Sequence, residues 1–301
     1  MRTAGTFVLA CAVVGLRAAT VAQPLEPARE PQKVAIVATV TDRHQRPVSG
    51  LSSTDFEVQD NGHAYVPIAF DAGRWPLSVT VVLDRSDSLS IGPTGVRAAA
   101  ARLITELQPN DDARLCAFAR NIACSPGFTT DHEELALEVR HLRTGFGNLL
   151  FDTIWSALDP LPTAQAGRRR VIVVFSDGED NGSRAVFRHL MDRARSRDVM
   201  VYGIGLQTRI DDGDDVVSSR PDLTLMPLAT ETGGNYYEAN NHLELEDIVT
   251  RIEEELRNQY VLIFTPASNV GLNHRLHVLA TRANLRVRTR RHLSAGEGMR
   301  E

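Results

Sequence analysis

Twice between Leu77 and Gly178 the chain rises into an unbroken apolar run that stops at an aspartate. The first reads Ser78-Val79-Thr80-Val81-Val82-Leu83-Asp84 and the second Val171-Ile172-Val173-Val174-Phe175-Ser176-Asp177-Gly178. Short runs this rich in β-branched residues predict central strands of a parallel sheet, buried on both faces. Around them the apolar spacing turns helical. Val96, Ala100, Leu103, Ile104 and Leu107 form one stripe, ended by Pro109-Asn110. Thr130-Asp131-His132-Glu133 reads as a capping box opening a helix through Leu135, Val139 and Leu142. Leu149 to Leu158 predicts a short helix, and Ser183 a cap for one carrying Val186, Phe187, Leu190 and Ala194. Val199 to Leu206 predicts a strand, Leu223 to Thr230 a helix closed by Gly233-Gly234, and Asn235 to Glu238 an edge strand. Leu245, Ile248, Val249, Ile252 and Leu256 mark the last helix. Strand and helix in alternation predict an α/β domain over residues 76–257, built on a doubly wound, mostly parallel sheet.

The flanks follow a different rhythm. Val34 to Val40 is a strand, and Phe56 and Val58 alternate with polar residues before the turn Asp60-Asn61-Gly62, from which Ala64 to Phe70 returns. Near the other end Gln259 to Phe264, Arg275 to Ala280 and Leu285 to Arg290 are strand-like. Neither set can hide both faces alone. The expectation is that 33–75 and 258–291 pair into a smaller β-sandwich beside the sheet, with 292–301 a disordered tail.

Composition narrows the class. The 301 residues carry 33 basic and 38 acidic side chains, a formal charge of −5, which disfavours a nucleic-acid partner. All the basic residues but Lys33 are arginine. Arg2, the apolar run Phe7 to Leu16 and the small residues Ala18 to Ala22 resemble a secretory signal peptide over 1–22, followed by a Pro-rich linker over 23–32. That run is too short to span a bilayer, and no later segment is apolar enough to cross one. A secreted, periplasmic or cell-envelope location follows as the expectation. Beyond Cys11, two cysteines remain, Cys116 and Cys124. A three-residue turn at Ala119-Arg120-Asn121 would set them opposite each other, and a two-residue turn would not. An oxidising compartment would let the pair close, and a disulfide is expected.

The chemistry gathers where the two strands end. Asp84, Ser86 and Ser88 offer one carboxylate and two hydroxyls, and Asp177 offers a second carboxylate from the neighbouring strand. Hard oxygen donors without His or Cys favour magnesium, manganese or calcium over zinc. Here Asp84-x-Ser86-x-Ser88, followed by Ser176-Asp177-Gly178-Glu179-Asp180-Asn181, resembles the von Willebrand factor type A domain. The resemblance implies a Rossmann-like fold and a metal-ion-dependent adhesion site. In that site the positions of Asp84, Ser86 and Ser88 reach the metal, and that of Asp177 acts directly or through water. A threonine completes the family's site, usually in Gly-Gly-Thr-Ala-Leu-Tyr-Asp. This chain has Phe146-Gly147-Asn148-Leu149-Leu150-Phe151-Asp152, so Asn148 stands in its place, as a ligand or as a cap for the helix that follows. Leu228 to Tyr237 and Gln259 to Pro266 resemble a group of secreted bacterial proteins of acidobacterial type with the same domain.

The resemblance implies a non-enzymatic protein-binding module whose magnesium (or manganese or calcium) bridges to an Asp or Glu carboxylate on a partner protein. Two alternatives remain. A metal-free envelope scaffold follows if Asn148 spoils the site. A phosphatase-like hydrolase would need a second acid where Ser86 stands, and no Gly-x-Ser-x-Gly elbow exists. The loop Asp211-Asp212-Gly213-Asp214-Asp215, Arg168-Arg169-Arg170 and the alternating Arg286, Arg288, Arg290 and Arg291 are all expected to be solvated.

Overall fold

A computed structural model describes residues 33–72, 75–87, 89–159, 167–211, 216–266 and 274–293. The signal-like segment, most of the linker, Ser88, most of the acidic loop and the chain beyond Leu293 lie outside them. The chain opens with β1 (Val34–Thr41), β2 (Phe56–Asp60), β3 (His63–Tyr65) and β4 (Ala69–Asp71). The α/β region follows with β5 (Leu77–Asp84), α1 (Pro93–Thr105), β6 (Asp112–Phe118), β7 (Ile122–Cys124), α2 (His132–Arg140) and α3 (Leu150–Leu158). It continues through β8 (Arg169–Ser176), α4 (Phe187–Arg195), β9 (Met200–Leu206), β10 (Thr208–Asp211) and β11 (Val216–Ser219). It ends with α5 (Leu225–Thr232), β12 (Tyr236–Ala239) and α6 (His242–Arg257). Last come β13 (Gln259–Phe264), β14 (His274–Ala280), β15 (Arg286–Thr289) and β16 (His292–Leu293).

The central sheet has the order β12-β9-β8-β5-β6-β7. Its pairs are parallel except β6 with β7. All eight residues of β5 are buried, as a strand with neighbours on both edges and helices on both faces requires. Val79, Val81 and Leu83 pack with α1, α2 and α6 on one face, and Val82 with α3, α4 and α5 on the other. Fully burying one such side chain contributes about 1.5–3 kcal/mol. The fold class expected from the alternating pattern is the fold class found.

From β5 the chain crosses to β6 on one side, while β8 lies on the other and leads outward to β9. The direction of winding therefore reverses between β5 and β8. In open α/β sheets such a switch point leaves a crevice at the strands' carboxyl ends, where ligands bind. Asp84 and Asp177 flank it.

The terminal strands form two antiparallel four-stranded sheets, β15-β1-β13-β4 and β16-β14-β2-β3, around a separate apolar core. This is the expected β-sandwich of N- and C-terminal strands. The segment from Ala64 to Phe70 is not one strand but two, because the chain crosses between sheets after Tyr65. His292 and Leu293, expected in the tail, form β16 against β14.

Three polar expectations are corrected. Asp131, not Thr130, caps α2, accepting from the Glu134 amide. Ser183 does not cap α4, which starts after Val186 with no side-chain cap. The arginines near β15 are not all solvated. Arg288 pairs with the buried Glu255 of α6, which also accepts from the hydroxyls of Tyr202 and Tyr237. Arg290 is buried, pairs with Asp198 at 3.1 Å and donates to the Arg195 and Arg197 carbonyls. These contacts bind the sandwich to the α/β region.

The β6–β7 hairpin places Cys116 directly opposite Cys124, and a disulfide joins them with their Cα atoms 4.0 Å apart. The three-residue turn between the strands sets this register.

Candidate metal centre

Asp84 is the last residue of β5 and only 3% exposed. It ends a strand whose neighbours run on beside it, so its carboxylate lies within the sheet edge rather than in open water. One oxygen accepts from the Ser86 amide at 2.8 Å, and the other sits 3.4 Å from the Ser176 hydroxyl. The Ser86 hydroxyl also bonds this carboxylate. Asp84 is nevertheless held above the ordinary carboxylate range, chiefly because burial penalises its charge, with Glu179 adding repulsion.

Asp177 follows β8 and is equally buried. Burial first, and then the negative charge of Asp84, push its carboxyl up to about 7. It accepts from the Glu179 amide at 3.0 Å. Gly178 must follow it, since the backbone there has φ 85° and an added Cβ would stand 2.3 Å from the Asp222 carbonyl oxygen. The Asp222 amide in turn donates to the Asp177 carbonyl at 2.7 Å, so the loop before α5 clamps the strand end.

Asn148 is 5% exposed and does not cap α3, whose N-cap is Leu149. Its side-chain Nδ2 points to an Asp177 oxygen at 3.4 Å, while its Oδ1 is buried without a hydrogen-bond partner. A buried amide oxygen left bare costs about 1–3 kcal/mol unless something is bound there. Its backbone is fixed from the Asp177 loop: the Asn148 amide donates to the Asn181 side chain at 3.1 Å, and the Asn181 amide donates back to the Asn148 carbonyl at 3.3 Å.

Two carboxylates that repel, a bare amide oxygen and hydroxyl groups from Ser86 and Ser176 form an all-oxygen donor set. Such a set fits a hard divalent cation and leaves room in its shell for water or an outside ligand. Thus Asp84, Ser86, Asn148 and Asp177 meet at one end of the sheet, and Ser88 lies outside the described residues. Among the described residues, no three His, Cys, Asp or Glu side chains cluster as a metal site by themselves.

Several supporting residues escaped the sequence reading. Asp180 accepts from the Phe151 amide at 3.0 Å and from the Ser183 hydroxyl at 2.6 Å. Asp152 accepts from the Arg184 and Ala185 amides at 3.0 and 2.8 Å. These carboxylates lash the start of α3 to the Asp177 loop, which holds Asn148 against Asp177. The signal lay in the runs Asp177-Gly178-Glu179-Asp180-Asn181 and Phe151-Asp152, whose acids serve backbone amides instead of the centre.

Solved structures share this fold. A von Willebrand factor type A protein from Catenulispora acidiphila aligns over 90% of this chain and 76% of its own, at 10% identity and TM-score 0.50. Proximal thread matrix protein 1 of the mussel byssus, with a zinc-occupied MIDAS motif, aligns over 66% of this chain and 50% of its own, at 12% identity and TM-score 0.51. The pilus adhesin SpaC of Lactobacillus rhamnosus GG, in an open conformation, covers 80% of this chain and 41% of its own, at 10% identity and TM-score 0.50. No curated protein matches the chain. The family model of the von Willebrand factor type A domain matches residues 78–251, more than half the sequence. With the doubly wound sheet and the paired aspartates at its switch point, this chain belongs to the von Willebrand factor type A domain family.

Proposed function

We propose that the chain is a protein-binding module whose grip on its partner depends on a divalent cation. Asp84, Ser86, Ser88, Asn148 and Asp177 would hold magnesium, with manganese or calcium as substitutes. The observation that carries this reading is the buried, repelling Asp84–Asp177 pair beside the unpartnered Asn148 oxygen. When bound, the cation supplies positive charge and a coordination position that an Asp or Glu carboxylate of the partner protein can take. The chain's own residues prepare the position. Asp84 and Asp177 carry negative charge in a site where burial strengthens its pull, and the Asp180 and Asp152 contacts keep Asn148 in place. No covalent step is part of this proposal, which leaves the chain a binder and not an enzyme. A secreted or envelope location is part of the reading, supported by the disulfide and the signal-like N-terminal segment. Among the described residues no helix is long and apolar enough to cross a membrane.

A second reading, a metal-free scaffold, has one observation in its favour. With a carboxyl pushed up to about 7, Asp177 can carry a proton near neutral pH where a cation would otherwise sit. Capture of envelope proteins on the immobilised chain, with magnesium and then with chelator, separates the two. The proposal expects a partner released by chelator. A partner retained equally in both washes supports the scaffold.

A further inference from the structure

The amino end of the same sheet holds a cavity of about 350 Å³ between the first residues of β8 and β9 and the β1–β13 side of the sandwich. That size suits a small-molecule site. One wall is apolar, formed by Ala35, Val37, Trp75, Val171, Met200 and Val261. The other is basic, with Arg168, Arg169, Arg170 and Arg290 against the single acid Asp198.

The ion pairs do not balance this wall. Asp198 is taken by Arg290 at 3.1 Å, and Arg168 pairs with Asp112 at 3.4 Å. Among the described residues, Arg169 and Arg170 have only neutral partners. Arg169 donates to the Gln259 side chain and to the Trp75 and Leu256 carbonyls, and its buried Nε has no acceptor. Arg170 donates to the Leu158 carbonyl at 2.9 Å. Burial pulls the Arg169 guanidinium down to about 10 and lowers that of Arg170 as well. Both groups still carry charge at neutral pH. A half-buried cation without a counter-charge is costly, and an anion beside it recovers that cost.

We propose that this cavity binds a small organic anion with an apolar body: a carboxylate on a hydrocarbon chain, its headgroup at Arg169 and Arg170 and its chain against Ala35, Val37 and Val261. At about 30 Å³ for each water-sized unit, the space accommodates roughly twelve heavy atoms, the size of decanoate. The site is remote from Asp84 and Asp177 in the fold and needs no metal.

The test uses the exported chain carrying Trp155→Phe, which leaves Trp75, in the cavity wall, as the sole tryptophan of the two present. Its fluorescence is followed, with chelator throughout, during titration with sodium decanoate, decanol or sodium acetate. Decanoate should give a saturable change, with decanol and acetate each weaker by about tenfold or more, since both charge and chain are read. Arg170→Gln, which keeps a donor but loses the charge, should weaken decanoate about tenfold. Ala35→Phe, which fills the cavity from the sandwich side, should abolish binding. Equal binding of decanol and decanoate would overturn the proposal, as would failure of decanoate to saturate, or undiminished binding by either variant that melts like its parent. Chelator keeps every outcome independent of the cation site.

Discussion

The central sheet gathers acids at its carboxyl edge and arginines at its amino edge, and β8 shows both within one strand. It begins at Arg169 and Arg170, in the wall of the cavity, and closes on Ser176 just before Asp177. Both ends carry charge that burial has stripped of water, but the two respond differently to pH. Asp177 is pushed up to about 7, into the range where protons exchange near neutrality, whereas Arg169 is pulled down only to about 10 and stays charged there. The same desolvation thus makes a switchable acid at one end and a fixed cation at the other. A carboxylate starts far below neutral pH and is raised toward it, while a guanidinium starts too far above to reach it.

Breaking the acidic end should have the largest effect. Asp84→Ala removes the carboxylate at the switch point and should weaken magnesium binding by more than about a hundredfold, beyond the 10–100-fold typical for losing a ligand's supporting contact. The fold should survive, because Asp84 ends the strand and its loss relieves repulsion on Asp177. Thermal melts with and without magnesium check this: the wild type should gain stability from the ion and the variant should not.

Asp177→Asn sharpens the contrast in pH response. The folded carboxyl titrates at about 7, and an unfolded one near 3.9. Between those values the folded chain binds more protons than the unfolded one. Metal-free stability should therefore be fully present below about pH 4 and fall as pH rises toward 7, by of the order of 2–4 kcal/mol. Asparagine carries no charge at either pH and should flatten that fall, leaving the variant more stable than wild type at pH 8 without metal. Denaturant unfolding at pH 5 and pH 8 measures the difference. An unchanged slope in the variant would place the pH dependence elsewhere.

A smaller effect is expected at Asn148. Its Oδ1 is bare and its side chain does not cap α3, so a ligand's role is the one left for that oxygen. Asn148→Thr restores the family's usual hydroxyl and should tighten magnesium binding about tenfold, roughly 1.4 kcal/mol. Asn148→Leu should weaken it. Titrating both variants with magnesium decides, and unchanged affinity in both would remove the third loop from the site.

Much of the fold was legible because it is written locally. Apolar runs closed by Asp84 and Asp177 gave the central strands, and the three-residue turn after Ala119, one of two spacings left open, put Cys116 opposite Cys124. The arginines were misread because their burial depends on distant segments. Arg169 meets Gln259 and Arg288 meets Glu255, partners that only the docking of the sandwich on the α/β region brings near. Ser183 was misread for a related reason. Its hydroxyl serves Asp180 and the Asp152 amide, so a residue with cap chemistry is occupied in stitching two loops together. The ligand set was legible as a motif, but the bare Oδ1 of Asn148 was not, since a sequence shows which oxygens exist and not which lack partners.

The central claim, that the crowded acids at the switch point are a cation site, is tested most directly by counting protons released when magnesium binds. Calorimetric titration of the exported chain at pH 7, in two buffers of different ionisation enthalpy, gives that count. With Asp177 titrating at about 7, binding should expel about half a proton or more at pH 7 and almost none at pH 9, with apparent affinity rising between them. Magnesium binding without proton release at pH 7, or no binding at either pH, would contradict it.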